Sequence, residues 1–483
     1  MRFWQFNKST KDEKNANNRS KASKNRAKTR REKARKAKNR LKKHKSLHGK
    51  SDLYLALYQI SQAIKHQFPN LLEDLENISD PRKRKQYKMQ ELLLGCIMMY
   101  VFKEGSRNGF NQDRKTEQFS KNYRRLFGVR LPHMDTVDEV LRKIDTKQLE
   151  TLKGLLLKGL FEKRVLHKFR LLGKQFGIAI DATGYASFDY KPYDCCSYRT
   201  SKNGKITYLQ PILEAKLVTQ NGFSISIATE WVLNDEEYEK QDCELKAFKR
   251  LAARLKRDYP RLPICILADG LYPNKSVFDI CKQHNWAFII TLKDTQLKDV
   301  QLEVALFDRL YSKNTLSKEK VVNKEQLIKH TYRWINEIDY HGHALNWVEC
   351  VETKKNIKTG KEEQNRFGYI TNFKASSTNC EVLCAFGRLR WKIENEGFNN
   401  QKNGGYQLQH KYSRNNLTAI QNYYQCMQIG HLINQVVELS KRFKQLKGKF
   451  TLKHIWKVMV AFMYFGEIDN RLLAFKKTQF RYT

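Results

Sequence analysis

The hydrophobic pattern changes period along the chain, and each change predicts a different kind of element. Over residues 51–170 apolar residues recur at three- and four-residue spacing. DLYLALYQISQAIKHQF and QELLLGCIMMYVFKEG each show this helical period. MDTVDEVLRKI opens on an Asp-Thr cap, and QLETLKGLLLKGLFEKRVL repeats the period. The result is a helical region with Lys- and Arg-rich polar faces, read as DNA-binding, the bland alternative being a bundle that only props up the rest of the chain. Near residue 171 the period shortens. FGIAIDAT reads as a short buried strand. ITYLQPILEAKLVTQ and FSISIATEWVL alternate as strands and meet at Asn221-Gly222, a hairpin signal. EEYEKQDCELKAFKRLAARLKRDY is an amphipathic helix, ICILAD a buried strand, VFDICKQHN a helix and WAFIITLK a strand. This order predicts an α/β fold with a mixed central sheet.

Past residue 295 the pattern turns polar and β-like as far as 367, with a hairpin around His341-Gly342-His343. RFGYITNF resumes an apolar strand. A helix is predicted from about Thr378 to Gln401, stopped by Gly404-Gly405, and another from about Asn416 to Leu439. The resulting division is 1–50, 51–170, 171–295, 296–367, 368–442 and a basic tail at 443–483.

Charge changes this picture at once. Lysine and arginine total 91 against 50 acids, a formal net charge of +41. Such a balance favours a polyanionic partner, because each neutralised phosphate releases a counterion. Residues 1–50 are nearly devoid of apolar side chains and are expected to be disordered alone. They read as an electrostatic arm on DNA, with Arg30, Arg31, Lys33, Arg35 and Lys36 at phosphates; the bland alternative is a solubilising tail. The ten cysteines form no CxxC pair and no zinc spacing, which favours free thiols. No apolar run follows the charged N-terminus, and the longest one, 92–102, is short of the roughly 20 residues a membrane helix needs. A cytoplasmic, nucleoid-associated protein with no membrane partner is expected.

Three acids carry the candidate chemistry. Asp181 ends the apolar run GIAID, Asp269 ends ICILAD, and Glu394 lies in RLRWKIENEGF. Open α/β sheets place sites at strand C-termini. A buried carboxylate is costly unless paired or bound to metal. Two aspartates at strand ends and a glutamate on a later helix can converge on two divalent ions, which activate an attacking oxygen and stabilise a leaving one at phosphorus. At about 100° per residue, positions 387, 390 and 401 lie within roughly 40° of Glu394, and Glu396 lies about 200° away. Arg390 then shares the face of Glu394, where it could hold a phosphate or form an ordinary i,i+4 ion pair.

Asp181 in IDATG, Asp269 in ILADG and Arg-x3-Glu in RLRWKIENEGFN resemble the DDE transposases of bacterial insertion sequences, and more narrowly the insertion-sequence-four group. The resemblance spans about 175–440. It implies a ribonuclease H-like catalytic core and a β-rich insertion, for which 296–367 is the counterpart. It also implies two Mg²⁺ or Mn²⁺ ions on Asp181, Asp269 and Glu394, and a homodimer acting on double-stranded DNA. In that chemistry water frees a 3′-hydroxyl, which joins target DNA by transesterification; the narrower group implies a hairpin intermediate. The group's tyrosine falls on Gly387 and its lysine on Gln401, with Lys402 one step on. Arg390 and Lys402 are the expected contacts to end phosphates. Trp334 and Trp347, in the insertion, could stack on a flipped base or simply staple a small β-subdomain. Other readings are a nuclease of the same fold without strand transfer, an inactive DNA-binding descendant, and an RNA-binding protein.

Overall fold

A computed structural model describes residues 52–234, 243–310, 313–322, 325–473 and 480–482. The chain divides into two units, Met1–Leu55 and Ala56–Thr483. In the first, the described residues form one 3₁₀ turn, Asp52–Leu55. The five arm residues from Arg30 to Lys36 lie outside the described residues.

The second unit begins with helices that the apolar spacing predicts, Ala56–Gln67, Met89–Val101, Met134–Leu141 and Thr146–Glu162, and with others such as Glu117–Phe127. Side-chain caps start several: Ser106 accepts from the Gly109 N–H and Asp145 from the Lys147 N–H. The sheet follows, with β1 (Phe176–Phe188), β2 (Ser197–Thr200), β3 (Ile206–Val218) and β4 (Ser224–Trp231). β5 (Ile264–Ala268) and β6 (Ala287–Thr291) alternate with the helices Glu244–Asp258 and Lys275–His284. β7 (Thr315–Val322), β8 (Gln326–Tyr340), β9 (His343–Asn356) and β10 (Glu362–Thr371) complete it. The hydrogen-bonded order is β2-β3-β1-β5-β6-β10-β9-β8-β7, with β4 on β3. β1, β5 and β6 are parallel to one another, while β3 and β10 flank them antiparallel. The protein is therefore mixed α/β with a mixed central sheet.

Three expectations change. The insertion is not a separate β-subdomain: β10 pairs with β6 through Tyr369–Thr371, so β7 to β10 continue the core sheet. Its first part, Lys298–Leu310, is a helix rather than β-like. The segment after residue 443 is not a tail. Its helix Leu452–Phe465 buries Ile455, Trp456, Met459 and Met463, and the Trp456 indole N–H donates to the Val101 carbonyl at 2.8 Å.

One helix joins the helical region to the sheet. In Leu417–Glu438 every residue from Ala419 to Val437 except Gln421 is buried. A helix buried all round must satisfy its polar side chains internally. The Asn422 amide donates to the Leu141 and Ile144 carbonyls at 2.8 and 2.9 Å, and Asn434 donates to the Tyr406 hydroxyl at 2.8 Å. Facing the sheet, Gln428 accepts from Lys216 of β3, and Gln435 accepts from the Ser224 N–H of β4. Among the described residues no helix is long and apolar enough to cross a membrane. All ten cysteines are free thiols.

Candidate active site

Register brings the two aspartates together. β1 and β5 pair in parallel from Phe176–Ile264 to Ala179–Leu267. Continued for two residues, that register sets Asp181 level with Asp269, on chains about 4.8 Å apart in a sheet. Asp269 directly follows β5, at the strand end where it was expected. Asp181 does not end its strand: β1 runs on to Phe188, paired with β3 as far as Phe188–Tyr208. The apolar run stops at Asp181 because the parallel neighbour stops there. Beyond that point one side of β1 is open.

Both carboxylates are half-buried, and each is tied to local backbone. The Ala182 N–H donates to Asp181 Oδ1 at 3.0 Å, and the Leu271 N–H donates to Asp269 Oδ1 at 2.8 Å. Arg390 Nη1 donates to Asp181 Oδ2 at 3.4 Å. Burial pushes the Asp181 carboxyl up to about 6; Arg390 opposes the shift, and the charges of Asp269 and Glu244 add to it. The folded chain therefore binds this proton more tightly than the unfolded chain. The associated stability is full below about pH 4 and is lost as pH rises through about 6. Without divalent ions, Asp181→Asn removes that loss. It is expected to stabilise the protein at pH 8 by up to about 3 kcal/mol, with the gain fading towards pH 4. Urea melts at several pH values check this; a pH-independent difference would exclude it.

Glu394 sits on a helical passage that is not one α-helix. The α-helix Cys380–Gly387 passes into a 3₁₀ turn, Arg388–Arg390, then a π-helical segment, Ile393–Asn399, then the short α-helix Asn400–Asn403. Counting 100° per residue therefore fails across the stretch that matters. Arg390 reaches Asp181 rather than Glu394, and Glu396 is held by Lys392. The wider π turn presses on the sheet at Gly397, where a Cβ would lie 3.0 Å from Ser224 Oγ and 3.2 Å from Lys216 Cδ. The Glu394 charge acts on Lys216. Among the described residues no three His, Cys, Asp or Glu side chains are grouped to hold a metal ion.

The donor chemistry fits a divalent cation at the aspartate pair. Asp181 is held near 6 by burial, and the like charge of Asp269 adds to that strain. A cation between two such oxygens would relieve it. Glu394 does not complete this donor set in the arrangement described. A different acid lies nearer in electrostatic terms: Glu244, first residue of Glu244–Asp258, contributes to the shift of Asp181 and is itself raised, chiefly by burial. The buried Tyr272 hydroxyl donates to Glu244 Oε1 at 2.6 Å. Nothing in the sequence separated Glu244 from the other acids of an amphipathic helix. Trp391 was also passed over: it is 52% exposed, and the Arg390 guanidinium lies 4.4 Å from its ring centroid.

Two carboxylates thus stand level on neighbouring parallel chains, one within β1 and one just past β5, with an Arg-x3-Glu passage alongside. Residues 240–421 match the transposase DDE domain. The matched span holds Asp269, Arg390 and Glu394, while Asp181 precedes it. No curated protein matches the chain. The DDE domain match supports a transposase enzyme of the DDE kind.

The remaining expected contacts are placed as follows. Trp334 is 7% exposed and belongs to a core cluster with Tyr332, Val348, Cys350 and Leu383, and Trp347 is 2% exposed. Neither ring is offered to a base: β8 turns Trp334 towards the helix Cys380–Gly387, and Trp347 is buried on the opposite face of the sheet, with the Arg333 guanidinium 5.8 Å from its ring centroid. Gln401 is fully buried, and its amide donates to Gln428 Oε1 at 2.9 Å. Lys402 is half-buried on the short helix beyond it. Arg388, beside Arg390, is held by Glu352 at 3.2 Å over the Phe367 ring. The insertion strands thus orient the first arginine of RLR. A depression of about 520 Å³ lined by Lys256, Arg261, His284 and Trp286 opens at the other end of β5 and β6, away from the aspartates.

Proposed function

We propose that this protein is a DNA transposase of the insertion-sequence type, with a ribonuclease H-like core. It binds the inverted ends of its element, cuts there, and joins the freed 3′-hydroxyl to target DNA. The observation that carries this reading is the level placement of Asp181 and Asp269, with Asp181 strained by burial and by the charge of Asp269 beside Arg390. The transposase DDE domain match and the net charge of +41 support it.

The aspartates and Glu394 are the proposed ligands of Mg²⁺ or Mn²⁺. A divalent ion bound there supplies charge for an attacking and a leaving oxygen at phosphorus. The chain's own residues do the rest. Asp181 and Asp269 present fixed oxygens, each held in orientation by a backbone N–H. Arg390, whose buried Nε lacks a partner, leaves Asp181 for a DNA phosphate, which its planar fork suits. Glu394, one turn on, then swings towards the pair. The basic arm at 1–50 and the helical region hold the duplex, and two copies act together on two ends.

A donor plasmid carrying the reading frame's flanking inverted repeats, incubated with protein, target plasmid and Mg²⁺, tests the whole reading. Joined product is expected. Cleavage without joining would make the protein a nuclease, and no cleavage with retained binding would make it an inactive descendant. Glu394→Gln is expected to lower cleavage on the order of 10²-fold or more with end binding kept. Wild-type cleavage by that variant in Mg²⁺ would remove Glu394 from the site.

A further inference from the structure

We infer that Lys216 is a positioning residue for Glu394, seating the π turn that carries it from beneath. This rests on the transposase reading for its functional consequence, but not for its geometry. Lys216 is fully buried on β3. It pairs with Ala179, two residues from the Asp181–Glu214 pair, so Lys216, Glu214 and Asp181 share one face of the sheet. On that face its stem lies under the π-helical segment. A Cβ at Gly397 would lie 3.2 Å from Lys216 Cδ and 3.5 Å from Cε. The ammonium lies 5.0 Å from the centroid of the Phe398 ring, four residues after Glu394.

A buried ammonium has three donors to satisfy and a large desolvation cost. Among the described residues Lys216 makes one hydrogen bond, to Gln428 Oε1 at 3.3 Å. That oxygen also accepts from Gln401, so it is a shared and weak partner. Compensation must come from anions. Glu214 is one, but it accepts the Thr229 hydroxyl at 2.6 Å and faces a second buried cation, Lys153. Glu394 is the other, and its charge favours the ionised lysine against the cost of burial. The attraction is mutual: a fixed positive charge on the sheet face that also carries Asp181 favours positions of the Glu394 carboxylate on that side. Outer partners of this kind orient metal ligands, and removing them typically costs ~10–100-fold in metal affinity or activity. Neither the apolar pattern nor the three-acid reading singled out Lys216. It appears only as one polar letter in the strand ITYLQPILEAKLV.

Lys216→Met keeps the length of the side chain and removes the charge. The full-length variant is compared with wild type for end binding, cleavage rate and the Mn²⁺ concentration at half-maximal cleavage. Cleavage is expected to fall at least about tenfold and the Mn²⁺ requirement to rise several-fold, with end binding unchanged. A purely structural lysine would lower the melting temperature and leave the Mn²⁺ requirement where it was. A second readout needs no catalysis: melting temperatures of Lys216→Met, Glu394→Gln and the double variant form a cycle. Non-additive shifts are expected, with Glu394→Gln less harmful once the lysine is gone. If Lys216→Met does not fold, Lys216→Gln replaces it in both readouts. Additive shifts, or an unchanged Mn²⁺ requirement in a folded variant, overturn the inference. Non-additive shifts in a protein that never cleaves DNA would keep the pairing and discard the transposase reading instead.

Discussion

Asp181→Asn and Asp269→Asn are each expected to lower strand cleavage on the order of 10³-fold or more, with DNA binding unchanged. Asparagine keeps the volume and one carbonyl oxygen. At position 269 that oxygen still accepts the Leu271 N–H, so the turn after β5 is preserved. What goes is the second oxygen and the charge, the two properties that suit the pair to a divalent ion. At position 181 the charge itself is not expected to be needed for folding. Burial already holds that carboxyl near 6, so the neutral variant is more stable above that pH, not less. Single-turnover cleavage of a labelled end in Mg²⁺, beside a gel-shift at the same salt, measures both quantities. A folded variant that cleaves within tenfold of wild type would remove that aspartate from the site. Comparison at matched salt is essential, because binding by so basic a chain falls steeply with ionic strength.

Gly387→Tyr is expected to destabilise the protein by about 3 kcal/mol, although tyrosine is the residue that the resemblance to the insertion-sequence-four group would place there. The backbone at Gly387 is ordinary right-handed helix, with φ −57° and ψ −38°, so no turn requires glycine. The obstacle is Tyr369. Its ring atoms would stand 2.7 to 2.9 Å from a Cβ at 387, closer than real side chains approach. The ring is 3% exposed within the core on β10, the strand that joins the insertion to β6, and has no free space to move into. An aromatic is therefore still present at this place, supplied by the sheet instead of the helix. Thermal or urea melts measure the cost, and Gly387→Tyr combined with Tyr369→Ala should recover much of it. If the single substitution melts within about 1 °C of wild type, the packing argument fails.

Sequence and structure agree where the local pattern is strong. The helices predicted before residue 163 and strands β3 to β6 follow from apolar spacing and turn chemistry, which the local order of residues carries. They part company where a tertiary neighbour sets the outcome. Position 181 reads as a strand end because hydrophobicity stops there, yet β1 continues for seven residues on its pairing with β3. The span 378–401 reads as one helix because every residue in it tolerates helix. The close approach of Gly397 to Ser224 and Lys216 accompanies a π turn there, and Arg390 is delivered to Asp181. Trp334 reads as available because a polar segment surrounds it, but β8 buries it against the helix Cys380–Gly387.

By itself, the sequence determined the charge that calls for a polyanion, the alternation of strands and helices, and the three acids with their order. Those properties depend on residue type and local spacing, which a linear chain carries in full. Only the tertiary structure decided that register sets Asp181 and Asp269 level, that Arg390 rather than Glu394 meets Asp181, and that a lysine from β3 lies against the π turn at Gly397. Those are contacts between residues up to 209 positions apart, and no local period encodes which of them close.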